Sequence, residues 1–171
     1  YKRQVLAREL TLKEIQQIAS ETDVALEAFV HGALCVSYSG QCYLSAALSG
    51  RSANRGECAQ YCRLPYTMVD ANGKVIASQK HLLSLRDMNR SDDLEAMMDA
   101  GISSFKIEGR LKDVSYVKNV TAWYRNKLDE ILARRPEYIR ASVGESRYTF
   151  TPQVAKSFNR GFTPFYLYGR N

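Results

Sequence analysis

The chain has 171 residues, 45% hydrophobic and 25% charged, which is enough apolar material for one core of ordinary size and too much for a disordered tail. It has no apolar run of about eighteen residues and no signal-peptide pattern at its start, so neither a membrane span nor secretion is indicated and a cytoplasmic address is expected. The formal net charge of +6 favours a polyanionic partner, nucleic acid first.

Because the chain opens on Tyr1 rather than Met, in what reads as a strand, it is expected to be a segment of a longer protein. Lys2 to Ala7 forms that strand, and Thr11-Leu12-Lys13-Glu14 is a capping box that starts a helix running to about Ser20. Val24 to Val30 alternates like a second strand, completing a β-α-β unit with parallel strands. From His31 to about Arg63 the chain is dense in Gly, Ser, Cys and Arg, as a functional loop would be. Tyr66 to Val69 and Lys74 to Ala77 flank Asp70-Ala71-Asn72-Gly73, where Asn-Gly supplies the positive backbone angles of a tight hairpin. Ser91 is placed to cap a helix through Leu94, Met97 and Met98 that stops at Gly101, and Ser104 to Ile107 is the next strand. Apolar residues at Val114, Val117, Tyr124, Leu128 and Ile131 mark one face of the longest helix, Asp113 to about Arg134. Beyond Pro136 the periodicity weakens, and Thr151-Pro152 restarts a short helical patch before an aromatic tail, Phe162 to Tyr168. That stretch, 136–171, reads as a linker and the start of an accessory region. The element count suits half of a (β/α) barrel, and an open doubly wound sheet nearly as well.

All four cysteines fall within 28 positions, spaced Cys35-x6-Cys42-x15-Cys58-x3-Cys62. A cytoplasmic address disfavours disulfides, and the flanking Ser, Gly and Arg residues are too polar for buried structural thiols. Four thiolates suit zinc or an iron-sulfur cluster. Zinc usually takes close Cys-x-x-Cys pairs, whereas a bulkier cluster tolerates wide, uneven intervals, with Arg51, Arg55 and Arg63 to offset its negative charge. The cluster is the first expectation and zinc the alternative.

The period of two places Glu27, Phe29 and His31 on one side of their strand, and sets Lys106, Glu108 and Arg110 against Phe105 and Ile107. In a barrel the C-terminal strand ends would gather Arg8, Glu9, His31, Glu108 and Arg110, a set able to grip an anion and move protons. Glu108, Arg110 and His31 are therefore the candidate catalytic residues. His81, alone after the hairpin, reads as structural.

The run Glu27-x-Phe29-x-x-Gly32-Ala33-Leu34-Cys35-x4-Gly40-x-Cys42-x-Leu44-Ser45 resembles the defining pattern of the collagenase-like U-32 peptidase family. The segments Gly50 to Arg63 and Phe105 to Arg110 resemble it too, and the similarity spans about residues 1–135. The resemblance implies the C-terminal half of a TIM-like barrel over 1–135, with the cysteine loop and β-hairpin inserted at 31–90. It also implies a cluster, a 4Fe-4S centre, held by Cys35, Cys42, Cys58 and Cys62. Gly50-Arg51-Ser52-Ala53-Asn54-Arg55-Gly56 looks most like the ribosomal-RNA hydroxylation branch, which acts on a pyrimidine and for which prephenate is the implied hydroxyl source. Arg110 or Arg8 could grip such a carboxylate. Although members were named proteases, the sequence carries no His-Glu-x-x-His motif and no recognisable Ser-centred or Cys-centred catalytic set. Charge alone nominates Arg51, Arg55, Arg63 and Lys112 for RNA phosphates. The open strand edges of a half-barrel lead to the expectation of a dimer or swapped assembly.

Overall fold

The computed structural model describes residues 2–170. They form two compact units, one made of the chain up to Ala33 together with everything from Asp87 onward, the other Leu34–Arg86.

The larger unit is a mixed α/β layer. Its helix α1 (Leu12–Ser20) begins as its sequence dictates: the Thr11 hydroxyl accepts from the Glu14 amide at 3.2 Å and the Glu14 carboxylate accepts from the Thr11 amide at 2.8 Å. Strands β1 (Arg3–Val5) and β2 (Ala25–Gly32) flank that helix and pair in parallel. The alternation read from sequence holds along most of β2, where Leu26, Ala28 and Val30 are buried. The unit's third parallel strand, Ile102–Ile107, pairs with β2 from Leu26 to His31. It therefore lies on the edge of β2 opposite β1, and the parallel strands follow one another across the sheet in chain order. A short strand, Asp87–Asn89, meets the end of β2 antiparallel, with His31 opposite Asn89. Three residues flanked by arginines carry no readable alternation, so this strand is invisible in sequence.

Two expectations in this unit change. Ser91 does not cap the next helix, Leu94–Asp99; the chain turns at 90–93, the Ser91 amide goes to Asn89 Oδ1 at 3.0 Å, and Asp93 takes the cap position. The stretch 136–171, read as linker and accessory region, instead contributes the two-residue strand Phe162–Thr163, parallel to Asp87–Asn89. It also buries Val154 and Leu167 in the core beside Ile15, Met97, Val120 and Tyr124. Isolated apolar anchors in an irregular segment leave no period to detect. The long helix, Val114–Arg134, is as expected, with Asp113 capping the Tyr116 amide at 2.7 Å.

In the smaller unit the hairpin strands are Tyr66–Val69 and Val75–Lys80, so in chain order the strands are β3 and β4 here, then β5 (Asp87–Asn89), β6 (Ile102–Ile107) and β7 (Phe162–Thr163). The helices are α2 (Leu44–Ser49), α3 (Leu94–Asp99) and α4 (Val114–Arg134). The hairpin turn differs from a two-residue Asn-Gly turn. The Gly73 amide returns to the Asp70 carbonyl and only Gly73 takes a positive φ, of 82°, so Ala71 and Asn72 form the bend and Gly73 closes it.

Candidate functional site

The smaller unit carries the cysteines on a loop with little regular structure, and its shape comes from backbone chemistry that can be named. After Cys35 and Cys42 the chain enters α2, which Gly50 ends at a left-handed φ of 69°; a 3-10 turn (Ala53–Arg55) then closes on Gly56 at 89°. Asn54 Oδ1 accepts from the Cys42 amide at 3.2 Å, tying that turn to the second cysteine. The buried Ser45 hydroxyl accepts from the Ala59 amide at 3.0 Å, beside the third. The Gln60 amide points at the Cys58 sulfur at 3.4 Å. Arg63, next to the fourth cysteine, donates to the Leu34 carbonyl and, at 2.8 Å, to Ser84, so one guanidinium ties the loop's start to the segment after the hairpin. The Arg63 carbonyl in turn accepts from His81 Nδ1 at 2.9 Å, which fixes that ring's tautomer and gives His81 the structural role expected.

All four cysteines are free thiols, Cys58 exposed and the others half-buried. Burial pushes the Cys62 thiol above its ordinary range, Arg63 opposes this, and Cys35, Cys58 and Cys42 add to it, so each of these three sulfurs lies within electrostatic reach of Cys62. Among the described residues, no group of three or more His, Cys, Asp and Glu side chains is arranged so that it could hold a metal ion.

In the larger unit the strand-end residues separate. Glu108 directly follows β6, its amide bonded to the His31 carbonyl at 2.9 Å and its carboxylate accepting from the Arg110 amide at 3.2 Å; Arg110 itself is exposed. Gly32 makes this approach feasible: at φ 117° a Cβ there would stand 2.7 Å from the Glu108 carbonyl oxygen. His31 does not share the face of Glu27 and Phe29. A register shift between Phe29 and His31 sets it opposite Ile107. Its ring is 3% exposed among Tyr116, Tyr124 and Phe162. Burial lowers its pKa to about 4, with Asp87 opposing and Lys112 assisting, so at neutral pH it is an uncharged, packed ring.

The model of peptidase family U32 matches residues 1–171. The chain belongs to peptidase family U32. It is 54% identical over 166 residues, 97% of its length and 25% of the relative's, to the 23S rRNA 5-hydroxycytidine C2501 synthase of Escherichia coli K12. It is 35% identical over 143 residues, 80% of its length and 34% of the relative's, to tRNA hydroxylation protein P1 of Bacillus subtilis 168. It is 38% identical over 147 residues, 86% of its length and 39% of the relative's, to a collagenase of Porphyromonas gingivalis. The chain thus spans a quarter to two fifths of these U32 relatives. No solved structure matches it.

Within this U32 chain the nominated residues fall into distinct groups. Cys35, Cys42, Cys58 and Cys62 share one unit, with Arg51 and Arg55 exposed on the same loop. Arg63 is committed to bracing that loop. Lys112 lies over the rings of Tyr116 and Phe158, each at 4.9 Å. Arg8 is half-buried and Glu9 is buried. A residue that sequence reasoning missed is Arg90. It is 2% exposed and donates to the backbone carbonyls of Pro164, Phe29 and Arg8 at 3.1, 3.4 and 3.2 Å. Burial pulls its pKa down to about 10, so it stays charged and staples three chain segments. Nothing in its local sequence separates it from a surface arginine.

Proposed function

We propose that this chain is the part of an RNA-hydroxylating U32 enzyme that holds an iron-sulfur cluster, with ribosomal RNA as substrate and a pyrimidine as the base modified. The observation that carries the reading is the loop of four free thiols in a chain 54% identical, over 97% of its length, to a relative named as a ribosomal cytidine hydroxylation enzyme. The chemistry of the donors supports the group: four free thiols on one unit are the ligand type of a 4Fe-4S cluster, with zinc the alternative, and binding would have to draw them together, since among the described residues they are not gathered around one metal position. Cys35, Cys42, Cys58 and Cys62 would hold it. A bound cluster supplies one-electron transfer at a potential set by nearby charge and hydrogen bonds.

The chain's own residues divide the remaining work. Arg63 ties the start of the cysteine loop to the segment after the hairpin, and Arg51 and Arg55 offer exposed guanidiniums to RNA phosphates. Glu108 and exposed Arg110, just beyond the end of β6, suit proton transfer and the grip of a carboxylate donor such as prephenate. His31 is held neutral and supports the strand end rather than meeting substrate. The larger unit is proposed as the C-terminal half of a TIM-like barrel. Its three parallel strands are neighbours in chain order, as consecutive barrel strands are, and Arg3, Glu27 and Ser104 hydrogen-bond across them.

Nucleoside mass spectrometry tests the reading directly. Ribosomal RNA from a strain lacking the gene should lose a hydroxylated pyrimidine that the wild-type gene restores and the Cys58→Ala gene does not. An RNA profile untouched by deletion removes the function. Anaerobically purified full-length protein should be brown with broad visible absorption, whereas colourless protein with stoichiometric zinc favours a zinc-stapled binding module. The relative named as a collagenase supports a second reading, proteolysis. Gelatin cleavage lost on deletion with unchanged nucleosides would favour it.

A further inference from the structure

Two cavities in the larger unit share walls along one face of α4. The first, about 740 Å³, is lined by Lys112, Lys118 and Lys156 together with Phe150 and Phe158. The second, about 550 Å³, is lined by Arg125, Arg147 and Tyr148 and shares Lys118 and Phe150 with the first. From Val114 to Arg125 the helix rises about 17 Å, the reach of a short chain segment rather than of one small anion.

Five cations line this groove against one acid, Asp113, whose carboxylate is taken by the Tyr116 amide at 2.7 Å. Toward its far end Arg125 pairs with Asp129 at 2.6 Å and Arg147 with Glu145 at 3.9 Å, while Arg125 Nε is buried without a partner among the described residues. Lys118 and Lys156 have no ion pair among the described residues. Aromatic faces are interleaved with the charge. Phe158 is 65% exposed, with Lys112 Nζ and the Arg160 guanidinium each 4.9 Å from its ring. Phe150, also exposed, packs on Tyr148 at 5.4 Å.

Lysines between exposed rings match a ligand that alternates phosphates with flat bases. An acidic peptide would use the cations and leave the phenyl faces wet, and a duplex has no free base faces to give. We propose that the α4 groove is a docking track for a single-stranded RNA segment, with Lys118 and Lys156 on phosphates and Phe158 stacked on a base. This rests on the RNA reading above and deepens it by naming where the strand lies.

The test uses the full-length protein that carries this chain and a fluorescein-labelled single-stranded RNA of about a dozen nucleotides, followed by anisotropy over a range of salt. Lys118→Ala with Lys156→Ala should weaken binding about tenfold or more and flatten the salt slope by about 1.4, two phosphates' worth. Phe158→Ala should weaken it about fivefold or more at an unchanged slope. Circular dichroism should find both variants folded, since all three side chains are exposed. Independently of any variant, wild-type protein photo-crosslinked to a 4-thiouridine RNA should yield adducts within residues 112–158. Wild-type binding that neither variant weakens, or crosslinks only elsewhere, overturns the groove and leaves the RNA reading standing. Wild-type protein that binds no RNA overturns both. Displacement by poly-glutamate as effective as by unlabelled RNA overturns RNA as the occupant.

Discussion

At the end of β2 the Tyr124 hydroxyl lies 2.8 Å from the Val30 carbonyl, 3.1 Å from Asn89 Oδ1, 3.3 Å from His31 Nδ1 and 3.3 Å from the Arg90 amide. A phenol has one proton, and the nearest acceptor, Val30, takes it; the oxygen then accepts from the Arg90 amide and from a protonated Nδ1 of His31. The buried ring, with a pKa of about 4 against 6.5 when unfolded, refuses a proton that the unfolded chain takes up as pH falls between those values. Its contribution is therefore complete above pH 6.5 and declines toward pH 4, by up to about 3 kcal/mol. Urea denaturation at several pH values should record that slope in the wild type and a shallower one in His31→Phe, where no ring titrates; identical slopes would remove the histidine as the source. Gly32→Ala belongs to the same scale. It would force a Cβ into the Glu108 backbone at a left-handed φ, and should cost about 2–4 kcal/mol and lower the melting midpoint; a midpoint within a degree or so of wild type would contradict the close approach.

Helix α1 was legible because its start is local chemistry: a threonine and a glutamate three residues apart satisfy each other's amides. Thr11→Ala should accordingly cost about 1 kcal/mol in a denaturation experiment and leave the visible spectrum of the full-length protein unchanged. The cysteine loop is the opposite case. Its cysteines and their intervals could be read in the sequence, but its bracing could not, because Arg63 reaches Leu34 and Ser84 across distances in sequence that no periodicity encodes. Charge alone nominates Arg63 for a phosphate contact; bonded as it is, and with the cluster proposed above, Arg63→Met should lower iron content per protein when measured after anaerobic purification. Full iron occupancy in that variant would show the clamp to be dispensable. The short strands β5 and β7 were missed for the same reason as the clamp, since each is defined by a distant partner and not by its own pattern.

Across the whole molecule, β6 pairs with β2 alone among the described residues, and a parallel sheet with an open edge invites another strand. The chain in isolation should therefore self-associate, and light scattering after gel filtration should give a mass near twice 19.4 kDa; a stable monomer at every concentration would count against that edge. None of its helices is long and apolar enough to cross a membrane among the described residues. The sequence by itself determined the β-α-β unit, the hairpin, the long helix, the family and the thiol quartet. These rest on spacing of two, of three and four, and on contiguous motif residues, all of which are local. The tertiary structure alone decided that His31 is packed and neutral, that Arg90 joins three segments, that the stretch after Pro136 completes the core, and that lysines and phenylalanines from α4 and residues 150–158 line one groove. Burial and long-range hydrogen bonds depend on which distant residues meet, and that information appears only once the chain is folded.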